Sequence, residues 1–125
     1  MTRTARQGLG AAGERLARRH LEEQGFTFLA ANWRYAGGEL DLVMRDGDVL
    51  IFVEVKTRRS ERLGAAEESL TPVQGGRLLR AAQLFLAARP EFADTFWRID
   101  LMAITLGPSG AVSRLTHIPN AVQSP

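Results

Sequence analysis

Two acidic residues and a lysine stand at a spacing that could seat a metal ion and hydrolyse a phosphodiester bond. Asp41 precedes an Asp-Gly turn signal, and Glu54 and Lys56 follow the apolar run Val49 to Val53. Because strand side chains alternate between faces, Glu54 and Lys56 project together, and a hairpin would bring Asp41 beside them. Carboxylates supply the oxygen ligands that Mg²⁺ prefers, and an ammonium group could orient a water or offset charge on the phosphorane. The three residues therefore predict a metal-assisted hydrolytic site.

Lysine usage strengthens this interpretation. Of the 16 basic residues, 15 are arginine, and the single lysine is Lys56. An ammonium is a compact point charge whose pKa responds to burial, whereas a guanidinium stays charged. The usage favours a specific role for Lys56, with chance placement as the alternative.

Each acidic residue also has a purely structural interpretation. A Glu-x-Lys pair on a strand is most often a surface ion pair, and Asp41 alone could be an ordinary hairpin residue. Glu39 shares the face of Asp41 but begins its strand, so it is a weaker candidate ligand. Asp100, next but one to Arg98, is expected to form a structural ion pair outside the site.

Length and composition favour one domain. The chain has 125 residues, of which 45% are hydrophobic, and we expect one domain over residues 1–118 followed by a frayed tail over 119–125. The sequence contains no apolar run of about 18 residues, no signal-like segment and no cysteine, which indicates a cytoplasmic protein without a membrane span. A pI of about 9.9 suits a nucleic-acid partner.

Periodicity predicts a mixed α/β fold of order α-β-β-β-α-β, with one further strand at the end. The second and third strands should form a hairpin, and the third, apolar throughout, should lie in the middle of the sheet. Residues 57–69 read as a loop. The predicted helices are Gln7 to Gln24 and Pro72 to Ala88, and the predicted strands are Phe26 to Ala30, Glu39 to Arg45, Asp48 to Lys56, Phe96 to Leu106 and Val112 to Ile118.

Two features of the first helix bear on function. Glu14 lies at the edge of the apolar stripe and should point toward the sheet, although it could instead pair with Arg15 or Arg18. Residues 8–13 match the dinucleotide fingerprint GxGxxG, which requires a preceding strand that the short N-terminal segment cannot supply. We therefore attribute these glycines to close packing of the helix.

The stretches Gly38 to Val43 and Phe52 to Arg58 resemble the PD-(D/E)XK nuclease superfamily. They look most like the YraN-like uncharacterised group, which is similar to archaeal Holliday-junction resolvases. The resemblance implies a restriction-endonuclease-like mixed sheet with Mg²⁺ or Mn²⁺ bound by Asp41 and Glu54. It also implies that Lys56 is the catalytic lysine and Glu14 an accessory catalytic carboxylate. The chain lacks the proline of the superfamily motif.

Nucleic-acid contacts are expected around this site. Loop arginines could hold phosphates, and the neighbouring Trp33 and Tyr35 could stack on unpaired bases. The related proteins often have lysine where this chain has Gln74, which puts one phosphate contact in doubt. His20 and His117 lack zinc-ligand spacing and are expected to be structural or exposed. The expected contact residues are Arg34, Arg58, Arg59, Arg62 and Gln74.

The combined expectation is a Mg²⁺-dependent endonuclease, acting on DNA more readily than RNA and selective for junctions or other structures. Junction-cleaving enzymes engage symmetric strands, so by analogy this function is compatible with a homodimer. Three alternatives stay open: a nuclease acting on RNA, a non-catalytic nucleic-acid-binding module of the same fold, and an interaction domain whose polar cluster is a buried ion-pair network.

Overall fold

A computed structural model describes residues 5–59 and 70–122 as a five-stranded mixed sheet with a helix against each face. The strands lie in the order β1-β2-β3-β4-β5, so the predicted mid-sheet position of the third strand is confirmed. No helix of these residues has the length and apolar character needed to cross a bilayer. The elements are α1 (Ala5–Glu23), β1 (Thr27–Tyr35), β2 (Gly38–Asp46), β3 (Val49–Arg58), α2 (Pro72–Ala88), a 3-10 turn (Pro90–Phe92), β4 (Trp97–Leu106) and β5 (Val112–Ile118).

Strand directions follow from the connections. The Asp-Gly turn places Gly47 at φ 60°, a left-handed conformation that suits a tight hairpin, and β2 pairs antiparallel with β3. Between β3 and β4 the chain runs through α2, which permits their parallel pairing. The β1–β2 and β4–β5 pairs are antiparallel.

The apolar residues of β3 pack into two hydrophobic cores, one on each face of the sheet. Ile51 and Val53 pack with Leu21 of α1, whereas Leu50 and Phe52 pack on the other face in the cluster that contains α2. Burial on both faces explains why this strand shows no polar alternation. The same alternation, continued along β3, carries Glu54 and Lys56 onto the face of Phe52.

Local chemistry sets the bounds of α2 where they were predicted. Thr71 Oγ1 accepts a hydrogen bond from the Gln74 amide at 3.2 Å, and the Gln74 side chain accepts one from the Thr71 amide at 3.0 Å. This reciprocal capping box satisfies two backbone donors at the helix start, and Pro72 occupies the first turn. Pro90 follows the last turn.

Two strands extend beyond their predicted ends. β1 continues through Asn32 to Tyr35, although it was expected to stop at Ala30. A register shift after Phe28 and a left-handed Asn32, at φ 53°, interrupt the regular alternation that sequence patterns detect, while pairing with β2 persists. β3 likewise continues to Arg58, because its parallel ladder with β4 extends that far.

The expectation of a frayed C-terminal tail is wrong for residues 120–122. The Asn120 amide donates to Asp100 Oδ1 at 2.9 Å, and the Ala121 amide donates to the Ile99 carbonyl at 2.7 Å. Val122 then packs against the core on the α2 side. Three consecutive residues are therefore tied to β4 and its neighbouring core.

Candidate metal site

The site lies where β2 and β3 separate. Their ladder ends at the Leu42–Val53 pair. One step further, Asp41 Oδ2 accepts a hydrogen bond from the Val55 amide at 2.9 Å. A side-chain carboxylate thus satisfies the backbone donor that a continuing strand would have paired, and this bond orients Asp41 at the fork.

Three carboxylates from two segments meet at this fork. Glu14 comes from α1, and Glu39 and Asp41 come from the start of β2. One carboxylate oxygen of each lies within 4.8 Å of the others, an arrangement that could hold a metal ion. All three side chains are partly buried. The structure therefore brings Glu14 beside Asp41 as expected, and it adds Glu39, which strand position alone had made a weaker candidate.

Glu54, the other predicted metal ligand, lies on β3 and adjoins this group through its hydrogen bond to Asp41, but its oxygens lie outside the set of atoms within 4.8 Å of one another. Its pKa is raised from 4.5 to about 9, chiefly by burial and then by its hydrogen bond to Asp41 and the negative charge of that residue. Lys56 opposes the shift, and Glu14 adds to it. In the absence of a cation, Glu54 therefore holds a proton at neutral pH.

Two polar neighbours on β1 hold Glu39 from both sides. Asn32 lies between carboxylates, so its amide nitrogen must face them. In this orientation the nitrogen donates to Glu39 Oε1 and Glu14 Oε2, both at 2.9 Å. Arg34 Nε lies 3.2 Å from Glu39 Oε2, and its side chain is 84% exposed. Sequence patterns did not predict Asn32 as a site residue; its one signal is that it is polar within a largely apolar segment.

Close helix packing brings the two sides of the site together. A Cβ atom added to Gly13 of α1 would overlap Thr57 Oγ1 of β3. Gly13 directly precedes Glu14 in the chain, and Thr57 directly follows Lys56. Their close contact therefore sets the distance between α1 and the fork. The predicted packing role is confirmed for Gly13 and wrong for Gly8 and Gly10, whose added Cβ atoms would meet none of the described atoms within 4 Å.

The predicted nucleic-acid contacts have different surroundings. Arg34 pairs with the acidic group, Arg58 ends β3, and the exposed Arg59 lines an open cavity of about 500 Å³ that Arg114 also lines. The Gln74 side chain participates in the capping box of α2. Arg62 lies outside the described residues. Their predicted contacts with nucleic acid stay predictions.

Trp33, which was expected to stack on bases, is partly buried against the core on the α2 side, and its contact with bases stays a prediction. Its ring contacts Tyr35 at 5.7 Å between centroids and meets Phe85 of α2 edge-on at 5.3 Å. The second contact packs Trp33 of β1 against Phe85 of α2.

A second polar cluster is structural, as predicted for Asp100 and His117. Asp100 is fully buried and receives Arg98 Nε at 2.9 Å, the Asn120 amide at 2.9 Å and His117 Nε2 at 2.7 Å. Burial opposes ionisation, but these three partners outweigh it and lower the Asp100 pKa. The cluster ties β4, β5 and the C-terminal segment together, and it does not join the acidic group at the fork.

Fold and site together define a mixed α/β protein that gathers carboxyl groups where two strands of one sheet separate. Comparison with known proteins places it further: residues 13–104 match the model of Uncharacterised protein family UPF0102, and the chain belongs to this family. The resemblance to the YraN-like group is confirmed at this level. The matched range contains the entire acidic group.

Relatives of similar length support this assignment. The chain is 46% identical over 119 residues to a UPF0102 protein of Roseiflexus castenholzii, which covers 94% of this chain and 95% of that protein. It is 49% identical over 113 residues to UPF0102 proteins of Yersinia pseudotuberculosis and Yersinia pestis, covering 90% of this chain and 92% of each relative.

Proposed function

We propose that this protein is a metal-dependent nuclease of the restriction-endonuclease-like class, hydrolysing phosphodiester bonds in DNA with a preference for junctions or other branched structures. One observation carries the proposal. Carboxyl groups from α1, β2 and β3 converge at a fork in the sheet, and the only lysine of the chain follows two residues after one of them.

The donor set fits Mg²⁺ or Mn²⁺. The grouped ligand atoms are all carboxylate oxygens, which suit these hard cations, and the chain has no cysteine that would favour zinc. A divalent cation bound there would complement the negative charge of the grouped carboxylates, of which Glu39 also pairs with Arg34. Bound there, the ion would lower the pKa of a coordinated water and offset charge on a phosphate oxygen.

The residues of the chain supply orientation and charge. The hydrogen bond from the Val55 amide orients the Asp41 carboxylate at the fork. Lys56 shares the face of Glu54 by strand alternation, and its ammonium would orient the attacking water or stabilise negative charge as the bond to the leaving oxygen breaks. Glu54 would release its proton when a cation takes its place.

Arginines near the fork would hold the substrate. Arg34 is largely exposed beside Glu39, and Arg58 and Arg59 follow Lys56 at the end of β3. Guanidinium groups bind phosphate in bidentate geometry, and contacts of this kind make affinity fall with rising salt. These positions would direct a nucleic-acid backbone across the fork.

The test combines metal binding and cleavage. The purified protein is incubated with Mn²⁺ and with flap, four-way junction, linear duplex, single-stranded and RNA substrates, beside Asp41→Ala and the exposed-site control Asp94→Ala. We expect cleavage of branched DNA that Asp41→Ala abolishes and Asp94→Ala preserves. Salt-dependent DNA binding without cleavage would support the non-catalytic module instead. A wild type that neither binds Mn²⁺ nor cuts any substrate refutes the proposal.

A further inference from the structure

Asn32 has an unusual backbone conformation for a strand residue. Its φ is 53°, and in residues 5–59 and 70–122 only Asn120, at 51°, is another non-glycine residue with positive φ. The left-handed region costs an ordinary L-residue about 1–2 kcal/mol, and asparagine tolerates it better than most. Strain of this kind persists where surrounding contacts impose it.

The contacts of the side chain explain why this conformation is retained. The Asn32 amide nitrogen carries two hydrogens and meets two acceptors, Glu39 Oε1 and Glu14 Oε2, each at 2.9 Å. These acceptors belong to strand β2 and helix α1, and the helix is not part of the sheet. One neutral group therefore bridges two acids from opposite sides of the site.

The conformation directs the side chain toward the acids. Ala30 and Trp33 both pack in the core on the α2 side. Residues three apart on a regular strand would project on opposite faces, so the alternation is broken between them, where Asn32 is left-handed. Glu14 belongs to α1 on the other side of the sheet. The left-handed residue turns the strand locally, so the amide reaches Glu14 and Glu39 together while Trp33 remains packed.

We propose that Asn32 is a positioning residue of the metal site, an inference that rests on the proposed function. By donating one hydrogen to each acid, it sets the spacing of Glu14 and Glu39 beside Asp41. An arginine or lysine here would place a competing cation between the acids, whereas the amide restrains them without adding charge. Partners that orient metal ligands in this way typically account for about 10-fold to 100-fold of metal affinity.

The experiment measures Mn²⁺ affinity by electron paramagnetic resonance, which reports free Mn²⁺, on the full chain. Asn32→Gly removes the amide but accepts the left-handed backbone without strain. Asn120→Gly is the matched control, because it makes the same substitution at nearly the same φ, and the contact of Asn120 with Asp100 uses its backbone amide. Thermal unfolding in EDTA is recorded for each protein.

We expect Asn32→Gly to weaken Mn²⁺ binding at least about 10-fold, with Asn120→Gly unchanged and both variants folded in EDTA. The loss should shrink in a Glu39→Ala background, because the bridge would then have only one acid to position; a residue with a merely structural role would show additive effects. Wild-type affinity in Asn32→Gly, with binding abolished in Asp41→Ala, overturns the role of Asn32 and leaves the proposed nuclease standing. Absence of Mn²⁺ binding by the wild type overturns both.

Discussion

The protonation state of Glu54 makes stability depend on pH in a direction opposite to that of most paired acids. Its pKa rises from 4.5 to about 9 on folding, first through burial and then through Asp41. Between these values the folded protein holds a proton that the unfolded chain releases. The stabilisation of the folded state by this retained proton is therefore complete below pH 4.5 and declines as pH rises toward 9.

The expected magnitude follows from this interval. One proton difference changes the free energy of unfolding by about 1.4 kcal/mol per pH unit, or roughly 6 kcal/mol over the whole range. Solvent still reaches part of the Glu54 side chain, so screening should reduce this to about 3 kcal/mol. Glu54→Gln keeps a hydrogen-bond donor for Asp41 but cannot ionise. We expect its stability to match the wild type at pH 5 and exceed it by about 3 kcal/mol at pH 9 in EDTA.

Urea unfolding at five pH values between 5 and 9, followed by tryptophan fluorescence, measures both profiles. Mn²⁺ should reverse the order at high pH, because the wild type then gains binding energy that requires the ionised carboxylate and the glutamine variant does not. Parallel pH profiles for the two proteins in EDTA would refute the reasoning, since they would show that Glu54 does not retain a proton on folding.

Three further predictions use other parts of the molecule. In urea unfolding, Gly13→Ala should destabilise the protein by about 1–2 kcal/mol, because overpacking against Thr57 outweighs the gain in helix propensity. Adding Thr57→Ala should recover much of this loss. The control Gly8→Ala should be neutral or stabilising, because a Cβ atom there meets open space. Lys56→Arg should reduce cleavage about 100-fold in single-turnover assays while thermal unfolding stays nearly constant, because a planar fork cannot replace a compact ammonium; full activity would contradict this role. Asp100→Asn should lower the free energy of unfolding by about 3 kcal/mol at pH 7. Because the Asp100 pKa is lowered, the stabilisation by this carboxylate is complete above its ordinary pKa of 3.8 and declines as pH falls below that value. Acid titration of the stability of both proteins checks this.

Sequence patterns predicted the elements whose causes are local. The hairpin follows from the Asp-Gly turn, the bounds of α2 from Thr71 and Pro72, and the central place of β3 from its unbroken apolar run. The fork geometry around Asp41 was also anticipated in part, because alternation brings Asp41 and Glu54 together across a hairpin.

Sequence patterns did not predict the irregular backbone of β1 or the pairing of the C-terminal segment. β1 was predicted too short because a left-handed Asn32 breaks the period on which strand assignment relies. The C-terminal segment was expected to fray because it ends the chain, but the amides of Asn120 and Ala121 donate to carboxylate and carbonyl groups of β4. Neither pairing has a local sequence signal.

The amino-acid order thus specified which segments form helices and strands, since turn chemistry, capping and side-chain period act over a few neighbouring residues. The gathering of Glu14, Glu39 and Asn32 around Asp41 arose from folding, because it depends on sheet register, on a backbone irregularity and on the close approach of α1 at Gly13. The raised pKa of Glu54 has the same origin, since burial and neighbouring charge exist only once distant segments have packed.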